Sequence, residues 1–386
     1  MSELLRKRGK RPVLVSEDAR DINRDACDVH VIVDWEATEL DEAATRIARS
    51  GVLPTGVVNL VDPLVGWQAR LARSYGLPGG EQAREKLASK ASVREEMGLA
   101  GLSTLWFASG RADSFPVDSV PGYPLIVKPC TDSGASRLVR RADCETQLRD
   151  HLRDITDAAG PDFQVIVEEY VDGTEMSIDG PVLDGVFTGL FVVEKNGRDE
   201  ERNHDTGVLV SPPSSGRVTS AAEVMTDRIS ALCRRLGLSE GWLHVEARVS
   251  ADGSCELIEI NPRVAGGMHP AAITRTCGVD AVEVMVRMAI AEEDGRELKS
   301  CVRSDEVVGL INLEPRSEGD VVAETSLEQM LGVAGVVDGY VWQPFRVSSL
   351  EQENFFAAFM VAGPDEAEVM AAVERVHGAF SFHVVP

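Results

Sequence analysis

The chain has 386 residues and a formal net charge of −24. This length allows roughly two or three packed domains. The negative charge argues against nucleic acid or an anionic membrane as the main partner, because both require basic patches. No apolar run reaches the roughly 20 residues of a membrane helix. The charged first residues lack the apolar segment of a signal peptide, so we expect a cytoplasmic protein.

The first part of the chain alternates short apolar runs with a helical segment. Residues 12–15, 29–33 and 56–59 predict strands, and residues 41–50 predict a helix. This βαβ-like order favours a parallel sheet with helices packed on it. No G-x-G-x-x-G motif follows the first strand, so a dinucleotide site is not expected there.

The rest of the chain predicts a mixture of helices and strands, again from the period of its apolar residues. Helices are predicted over 68–75, 81–98, 144–159, 221–236, 280–292 and 364–377. Strands are predicted over 125–127, 164–170, 175–178, 186–194, 243–249 and 255–261, and more strands are expected near the C-terminus.

Two alternating runs around Asp252 and Gly253 predict a β-hairpin, because Asp-Gly is a strong turn signal. With these residues in a two-residue turn, Glu246 lies opposite Glu259, and Asn261 shares their face. Directly opposed carboxylates repel each other unless a cation or a shared proton compensates them. Two carboxylates and an amide oxygen are ligands that suit Mg²⁺.

The alternative is a solvated hairpin face that binds nothing. It is disfavoured because the carboxylate face continues into Arg263 and the glycine pair 266–267, and because the opposite face is apolar. That apolar face is predicted to consist of Leu243, Val245, Ala247, Val249, Ile258 and Ile260.

A second candidate site follows the strand that ends at Lys128. Residues 131–136 form a loop of small and hydroxyl side chains, which lets backbone N–H groups approach phosphate oxygens. The lysine could neutralise such oxygens as a point charge. The loop is not a Walker A motif, since G-K-[ST] is missing, and an ordinary surface turn explains these residues equally well.

The order of these motifs resembles the ATP-grasp superfamily, whose members bind ATP between two α+β subdomains. They phosphorylate a carboxylate, and an amine or another nucleophile then attacks the acyl-phosphate. The resemblance covers nearly the whole chain. It implies an N-terminal Rossmann-like α/β domain (1–89), a two-subdomain ATP-grasp core (90–294) and a small C-terminal α+β domain (295–386).

The resemblance also implies a nucleotide site. The segment K-A-S-V-R-E-E-M corresponds to the family's first ATP lysine, V-K-P to the second, and E-E-Y-V to the adenine hinge. For His204, an ordinary loop histidine is an equal alternative. The implied ATP-binding residues are Lys90, Lys128, Ser133, Gly134, Ser136, Glu168, Glu169, Tyr170, Val171, Glu175 and His204.

The implied metal ligands are Glu246, Glu259 and Asn261, the same residues that the hairpin pattern indicates. Arg263 resembles the catalytic arginine that stabilises the transferring phosphoryl group, with a structural ion pair to Glu259 as the alternative. The segment R-V-A-G-G-M-H-P is similar to the L-amino-acid ligase branch. In that branch Gly266, Gly267 and Met268 would line the substrate pocket.

The resemblance leaves three functions open. The first is a carboxylate–amine ligase that forms an amide from small-molecule carboxylate and amine substrates. The second is a bicarbonate-using enzyme similar to biotin carboxylase, which is disfavoured because Met268 stands where that enzyme has a glutamate before His-Pro. The third is a nucleotide-binding protein without catalysis. The implied cofactors are ATP and Mg²⁺, with Mn²⁺ as a substitute, and a homodimer is expected by analogy with relatives.

Overall fold

The computed structural model describes residues 1–131, 134, 136–199, 204–292, 298 and 304–386. The helices in these residues are α1 (Ser2–Lys7), α2 (Leu40–Arg49), α3 (Val65–Ser74), α4 (Gln82–Leu87), α5 (Lys90–Leu99), α6 (Glu145–Ala159), α7 (Gly216–Leu236), α8 (His269–Cys277), α9 (Ala281–Ala289), α10 (Leu327–Leu331) and α11 (Glu366–Ala379). The strands are β1 (Val13–Ser16), β2 (Val29–Ile32), β3 (Phe107–Arg111), β4 (Leu125–Pro129), β5 (Arg140–Ala142), β6 (Gln164–Glu169), β7 (Thr174–Leu183), β8 (Val186–Phe187), β9 (Phe191–Asp199), β10 (His204–Ser211), β11 (Glu240–Val249), β12 (Cys255–Asn261), β13 (Val307–Leu313), β14 (Gly319–Ala323), β15 (Val336–Val341), β16 (Phe345–Val347), β17 (Ala357–Gly363) and β18 (Phe382–Val385).

The N-terminal part is a two-stranded parallel sheet, β1 and β2, with α2 and α3 packed on its apolar side chains. The prediction of a third strand over 56–59 is wrong, because this segment lies outside every strand of the described chain. Gly56 approaches α9 so closely that an added Cβ would stand 2.6 Å from the carbonyl oxygen of Ala289. The apolar run therefore packs as coil against a helix instead of joining the sheet.

Two other predicted elements are each divided in two. The predicted helix 81–98 is α4 and α5, and the hydroxyl of Ser89 caps α5 by accepting the N–H of Ser92 at 3.3 Å. This capping bond starts a new helix at Lys90. The predicted strand 186–194 is β8 and β9, and the break falls where Gly189 packs closely against Thr226 of α7.

The central sheet has nine strands in the order β12-β11-β7-β9-β10-β13-β17-β15, with β8 paired to β7. α7 covers one large apolar cluster on this sheet, and α8 and α9 belong to a second. β13, β15 and β17 follow residue 304, so the segment predicted as a C-terminal domain shares its sheet with the core. The predicted boundary at 294 lies outside the described residues.

A smaller four-stranded sheet, in the order β3-β6-β4-β5, packs its apolar face against α6. The polar ends of β4 and β6 approach β11 and β12 of the central sheet, and the candidate site lies between them. A three-stranded sheet, β16-β14-β18, completes the C-terminal part. Over the described ranges, no helix combines the length and the apolar composition that crossing a membrane requires.

Candidate active site

The β11–β12 hairpin places Glu246 directly opposite Glu259, as predicted. The predicted two-residue turn is wrong. A turn formed by Asp252 and Gly253 alone would place Ala247 opposite Ile258, but in the structure Ala247 faces Leu257. Ile258 is therefore the extra residue of a β-bulge. The bulge turns Ile258 out of the apolar face, where it was predicted, and into the cavity beside Glu259.

One cavity between the two sheets brings together most of the predicted site residues. Those that line it are Lys128, Gly134, Ser136, Glu168, Glu169, Tyr170, Val171, Glu175, Glu246, Glu259, Asn261 and Arg263. Other lining residues were not indicated by the sequence, namely Asp62, Ile126, Val139, Lys195, Asp205, His244, Arg248 and Glu353. Carboxylates are therefore more numerous around the cavity than the predicted set implied.

Some predicted residues lie outside the lining of this cavity. His204 is buried, and its Nδ1 stands 3.1 Å from Oε2 of Glu314. The predicted substrate residues Gly266, Gly267 and Met268 lie between Arg263 and the start of α8. Ser133 falls outside the described residues.

Lys90 contacts the site through its ion pair with Glu259, in which Nζ and Oε1 are 3.0 Å apart. Burial alone would lower the pKa of Lys90, but the carboxylate of Glu259, and the more distant Asp62 and Glu168, raise it above its ordinary value. The predicted ATP lysine and the predicted metal ligand thus neutralise each other.

Glu168 joins two cations, Lys128 and Arg94, at the wall of the cavity. Its Oε1 is 2.5 Å from Nζ of Lys128, and its Oε2 accepts Nε–H of Arg94 at 2.8 Å. Burial alone would raise the pKa of Glu168, but Arg94 and Lys128 lower it to about 2. The Glu168 side chain is therefore a buried carboxylate, and only the backbone of this hinge residue is left to contact a base.

Lys195 is the central cation of the other side of the cavity. Its Nζ lies 2.7 Å from Glu175, 2.7 Å from Glu246 and 3.0 Å from Asp205, and its side chain is only 6% exposed. Burial opposes its charge, yet the three carboxylates raise the pKa of Lys195 well above its ordinary value. One ammonium group therefore connects the predicted ATP-binding residue Glu175 with the predicted metal ligand Glu246.

Behind Glu246, a buried histidine adds a second positive charge. His244 Nδ1 is 2.9 Å from Oδ2 of Asp179, and Nε2 is 3.6 Å from Oε1 of Glu246. Burial alone would lower the pKa of His244, but these carboxylates raise it to about 10. Burial lowers the pKa of the neighbouring His269 to about 4. His244 is thus an imidazolium and His269 a neutral imidazole at neutral pH.

Arg263 does not pair with Glu259, the structural alternative raised by the sequence. Its Nε and Nη2 donate to the two carboxylate oxygens of Asp62 in the N-terminal part. Burial alone would lower the pKa of Arg263, but Asp62 raises it. A bidentate guanidinium at the cavity wall has the shape that carboxylate or phosphate oxygens require.

The hinge is held by polar contacts on both sides. Glu169 accepts the backbone N–H of Trp106 at 2.8 Å. Arg248 donates to the hydroxyl of Tyr170 at 2.9 Å and to the carbonyl of Val171 at 3.0 Å, and it reaches Glu175 at 3.3 Å. These contacts fix the strand end beside which a flat base could lie.

The donor set around Glu246 and Glu259 fits a magnesium ion. Across the described part of the chain, no cluster of three His, Cys, Asp or Glu side chains is arranged for a metal. The predicted set instead has two facing carboxylates with the amide of Asn261 beside them, and Mg²⁺ commonly takes only one or two carboxylates plus phosphate and water. Each carboxylate already holds an ammonium group, Lys90 or Lys195, so both are placed to bind positive charge.

The site residues missed by the sequence reasoning are the long-range partners. Asp62 and Arg263 are 201 residues apart, and Lys195 and Glu246 are 51 residues apart, so no local spacing connects them. The only signal for Lys195 was a lysine at the end of the apolar strand run F-V-V-E-K. A charge in a strand of that kind needs a buried partner.

Known proteins resemble this chain in sequence and in fold. Residues 121–271 match the ATP-grasp domain family. A D-alanine–D-alanine ligase from Anaeromyxobacter dehalogenans is 30% identical over 207 residues, which are 50% of this chain and 65% of that protein. Dapdiamide A synthase from Enterobacter agglomerans is 24% identical over 229 residues, 57% of this chain and 52% of that protein. The predicted resemblance to the ATP-grasp superfamily is therefore confirmed, and residues 121–271 carry the family match.

Among solved structures, the L-amino acid ligase from Bacillus licheniformis superposes with a TM-score of 0.83 at 18% identity, covering 100% of this chain and 95% of that one. This likeness confirms the predicted α/β and α+β fold class. The chain spans between about half and two thirds of the length of the curated relatives that it matches.

Proposed function

We propose that the protein is an ATP- and Mg²⁺-dependent carboxylate–amine ligase. It would phosphorylate the carboxylate of an amino acid or a similar small molecule, and an amine would then displace phosphate to form an amide or peptide bond. ADP and phosphate are the other products. The observation that carries the proposal is that one cavity is lined by the predicted adenine hinge, the facing pair Glu246 and Glu259, and Arg263.

The predicted site residues would have distinct roles in this reaction. The backbone of residues 169–171 would hold the adenine, and Glu175 would accept hydrogen bonds from the ribose. Lys90 and Lys128 would neutralise the phosphates, and Arg263 would contact the oxygens that gain charge during phosphoryl transfer. Glu246, Glu259 and Asn261 would hold Mg²⁺, with Mn²⁺ as a substitute, and the ion would supply charge neutralisation at the transferred phosphate.

Binding must rearrange the ion pairs within the cavity. Lys90 now pairs with Glu259, and Lys195 with Glu246. A divalent ion held by these carboxylates would leave Lys90 able to contact the phosphates, whereas Lys195 would still contact Glu175 and Asp205.

The test is ADP release from MgATP across a panel of amino acids and small carboxylates, each offered alone and with amine partners, with mass detection of the amide. Glu259→Gln should abolish turnover. Glu256→Gln is the matched control, because Glu256 lies on the same strand but bonds Ser103 instead of lining the cavity. Turnover in Glu259→Gln equal to wild type would refute the assignment of the site.

The same assay separates the other functions. Turnover that requires bicarbonate and yields no amide would favour the carboxylase-like activity. Nucleotide binding without turnover for any pair in the panel would favour a binding protein without catalysis.

A further inference from the structure

The β-bulge of β12 turns two consecutive carbonyl groups toward the same charged cluster. The carbonyl of Leu257 accepts a hydrogen bond from Nη2 of Arg94, and the carbonyl of Ile258 accepts one from Nζ of Lys128 at 2.9 Å. In a regular strand, successive carbonyls point to opposite edges. Both contacts can therefore form together only because the strand carries an extra residue here.

Glu168 ties the two donors into one unit, which we call the Arg94–Glu168–Lys128 triad. The three residues come from α5, β6 and β4, and the Arg94 and Glu168 side chains are 3% and 4% exposed. Buried charges of this kind keep their geometry, because separating one from its partners leaves an uncompensated charge. The triad thus holds two hydrogen-bond donors in fixed positions against the carbonyl groups at the bulge of β12.

The bulge decides which residue faces Glu246. Before it, Ala247 faces Leu257; after it, Glu246 faces Glu259. If the ladder ran on without the bulge, Ile258 would face Glu246. Glu259 would then move to the other face of the sheet, because a one-residue slip inverts every later side chain.

We propose that Arg94 is a positioning residue for the cation site: by holding the bulge of β12 it keeps Glu259 opposite Glu246. Arg94 lies outside the cavity lining and acts through the strand backbone. The inference rests on the proposed function in one respect, namely that the Glu246–Glu259 pair binds the divalent ion.

The test measures Mn²⁺ binding in the presence of ADP by electron paramagnetic resonance, and ADP binding in EDTA by calorimetry. Arg94→Met should weaken Mn²⁺ binding about tenfold or more, the usual effect of losing a group that orients a metal ligand. ADP binding in EDTA should stay at the wild-type value. Arg94→Lys retains the charge but not the forked donors. Its Mn²⁺ affinity should therefore lie between those of the wild type and Arg94→Met.

Arg228→Met is the matched control. Arg228 also donates to a β12 carbonyl, that of Cys255 at 2.7 Å, but it lies on α7 and outside the triad. Its Mn²⁺ affinity should equal that of the wild type. Thermal unfolding of all variants shows whether each one is folded at the assay temperature.

Three results would overturn the inference. The first is wild-type Mn²⁺ affinity in folded Arg94→Met, or in Arg94→Lys if the methionine variant does not fold. The second is an equal loss of ADP affinity with and without metal, which would place the effect at the hinge. The third is a wild-type protein that binds no Mn²⁺ with ADP; in that case the proposed function fails as well.

Discussion

Lys195 gives the sharpest test of the electrostatics of the site. Its ammonium group contacts Glu175, Asp205 and Glu246 within 3.0 Å and is almost completely buried. Lys195→Met retains most of the apolar stem and removes the charge, so three carboxylates lose their common cation. Their mutual repulsion must then be relieved by protonation, by Arg248 and His244, or by unfolding.

Removing one partner of a buried ion pair commonly costs about 3–5 kcal/mol. Glu175 still has Arg248 at 3.3 Å, and Glu246 still has His244 at 3.6 Å. We therefore expect Lys195→Met to lower the unfolding free energy by about 3 kcal/mol at pH 8, the lower end of this range.

The loss should depend on pH. Lys195 is among the groups that lower the pKa of Glu246 well below its ordinary value, a contribution to stability that is present above the unfolded-state pKa and disappears as pH falls. In the variant, Glu246 takes up a proton at higher pH than in the wild type. The difference between the two proteins should therefore be smaller at pH 5 than at pH 8.

Urea unfolding of the nucleotide-free protein at both pH values measures this difference, and added Mg²⁺ should recover part of it at pH 8. Lys86→Met is the control, because Lys86 forms an exposed pair with Glu96 and should cost at most about 1 kcal/mol. A Lys195→Met loss that equals the control, or that is the same at both pH values, would refute the reasoning.

Two further substitutions test a carboxylate of the cavity and a close backbone contact in the central sheet. Burial, together with repulsion from Asp205, raises the pKa of Glu353 to about 8, so the folded state binds an extra proton below that pH and wild-type stability falls as pH rises toward it. Glu353→Gln can still accept the N–H of Asp205, and in urea unfolding it should be more stable than wild type at pH 8.5 by about 1 kcal/mol or more, but equal at pH 4. No gain at pH 8.5 would contradict this. Gly180→Ala should lower the unfolding free energy by about 2 kcal/mol or more, because its Cβ would stand 1.8 Å from the carbonyl oxygen of Thr188. Gly216→Ala, with open space around it, is the control, and equal stabilities of the two variants would show that the backbone at Gly180 can shift freely.

The sequence predicted features that depend on local periodicity. The alternating runs around Asp252 and Gly253 indicated the hairpin, and the spacing of Glu246 and Glu259 indicated their common face. The bulge at Ile258 was missed although the alternation changes phase there, since Cys255 and Leu257 are buried on one side of it and Ile260 on the other. The prediction of a strand over 56–59 was wrong because a short apolar run packs equally well as a strand or as buried coil.

The ion pairs of the site were not predictable, because they depend on tertiary contacts. Arg94 bonds Leu257 across 163 residues, and Arg263 bonds Asp62 across 201. Motif spacing indicated Arg263 as a site residue but carried no information about its partner. Whether the predicted ATP and metal residues bind those ligands stays a prediction.

The central claim is that the site activates a carboxylate as an acyl-phosphate. Its most direct test uses a substrate found in the panel, labelled with ¹⁸O in its carboxylate, and analyses the phosphate released in one turnover by mass spectrometry. Formation of an acyl-phosphate predicts that one ¹⁸O atom appears in the inorganic phosphate, because the amine displaces the oxygen that bridged carbon and phosphorus. Unlabelled phosphate released together with the amide would contradict the claim.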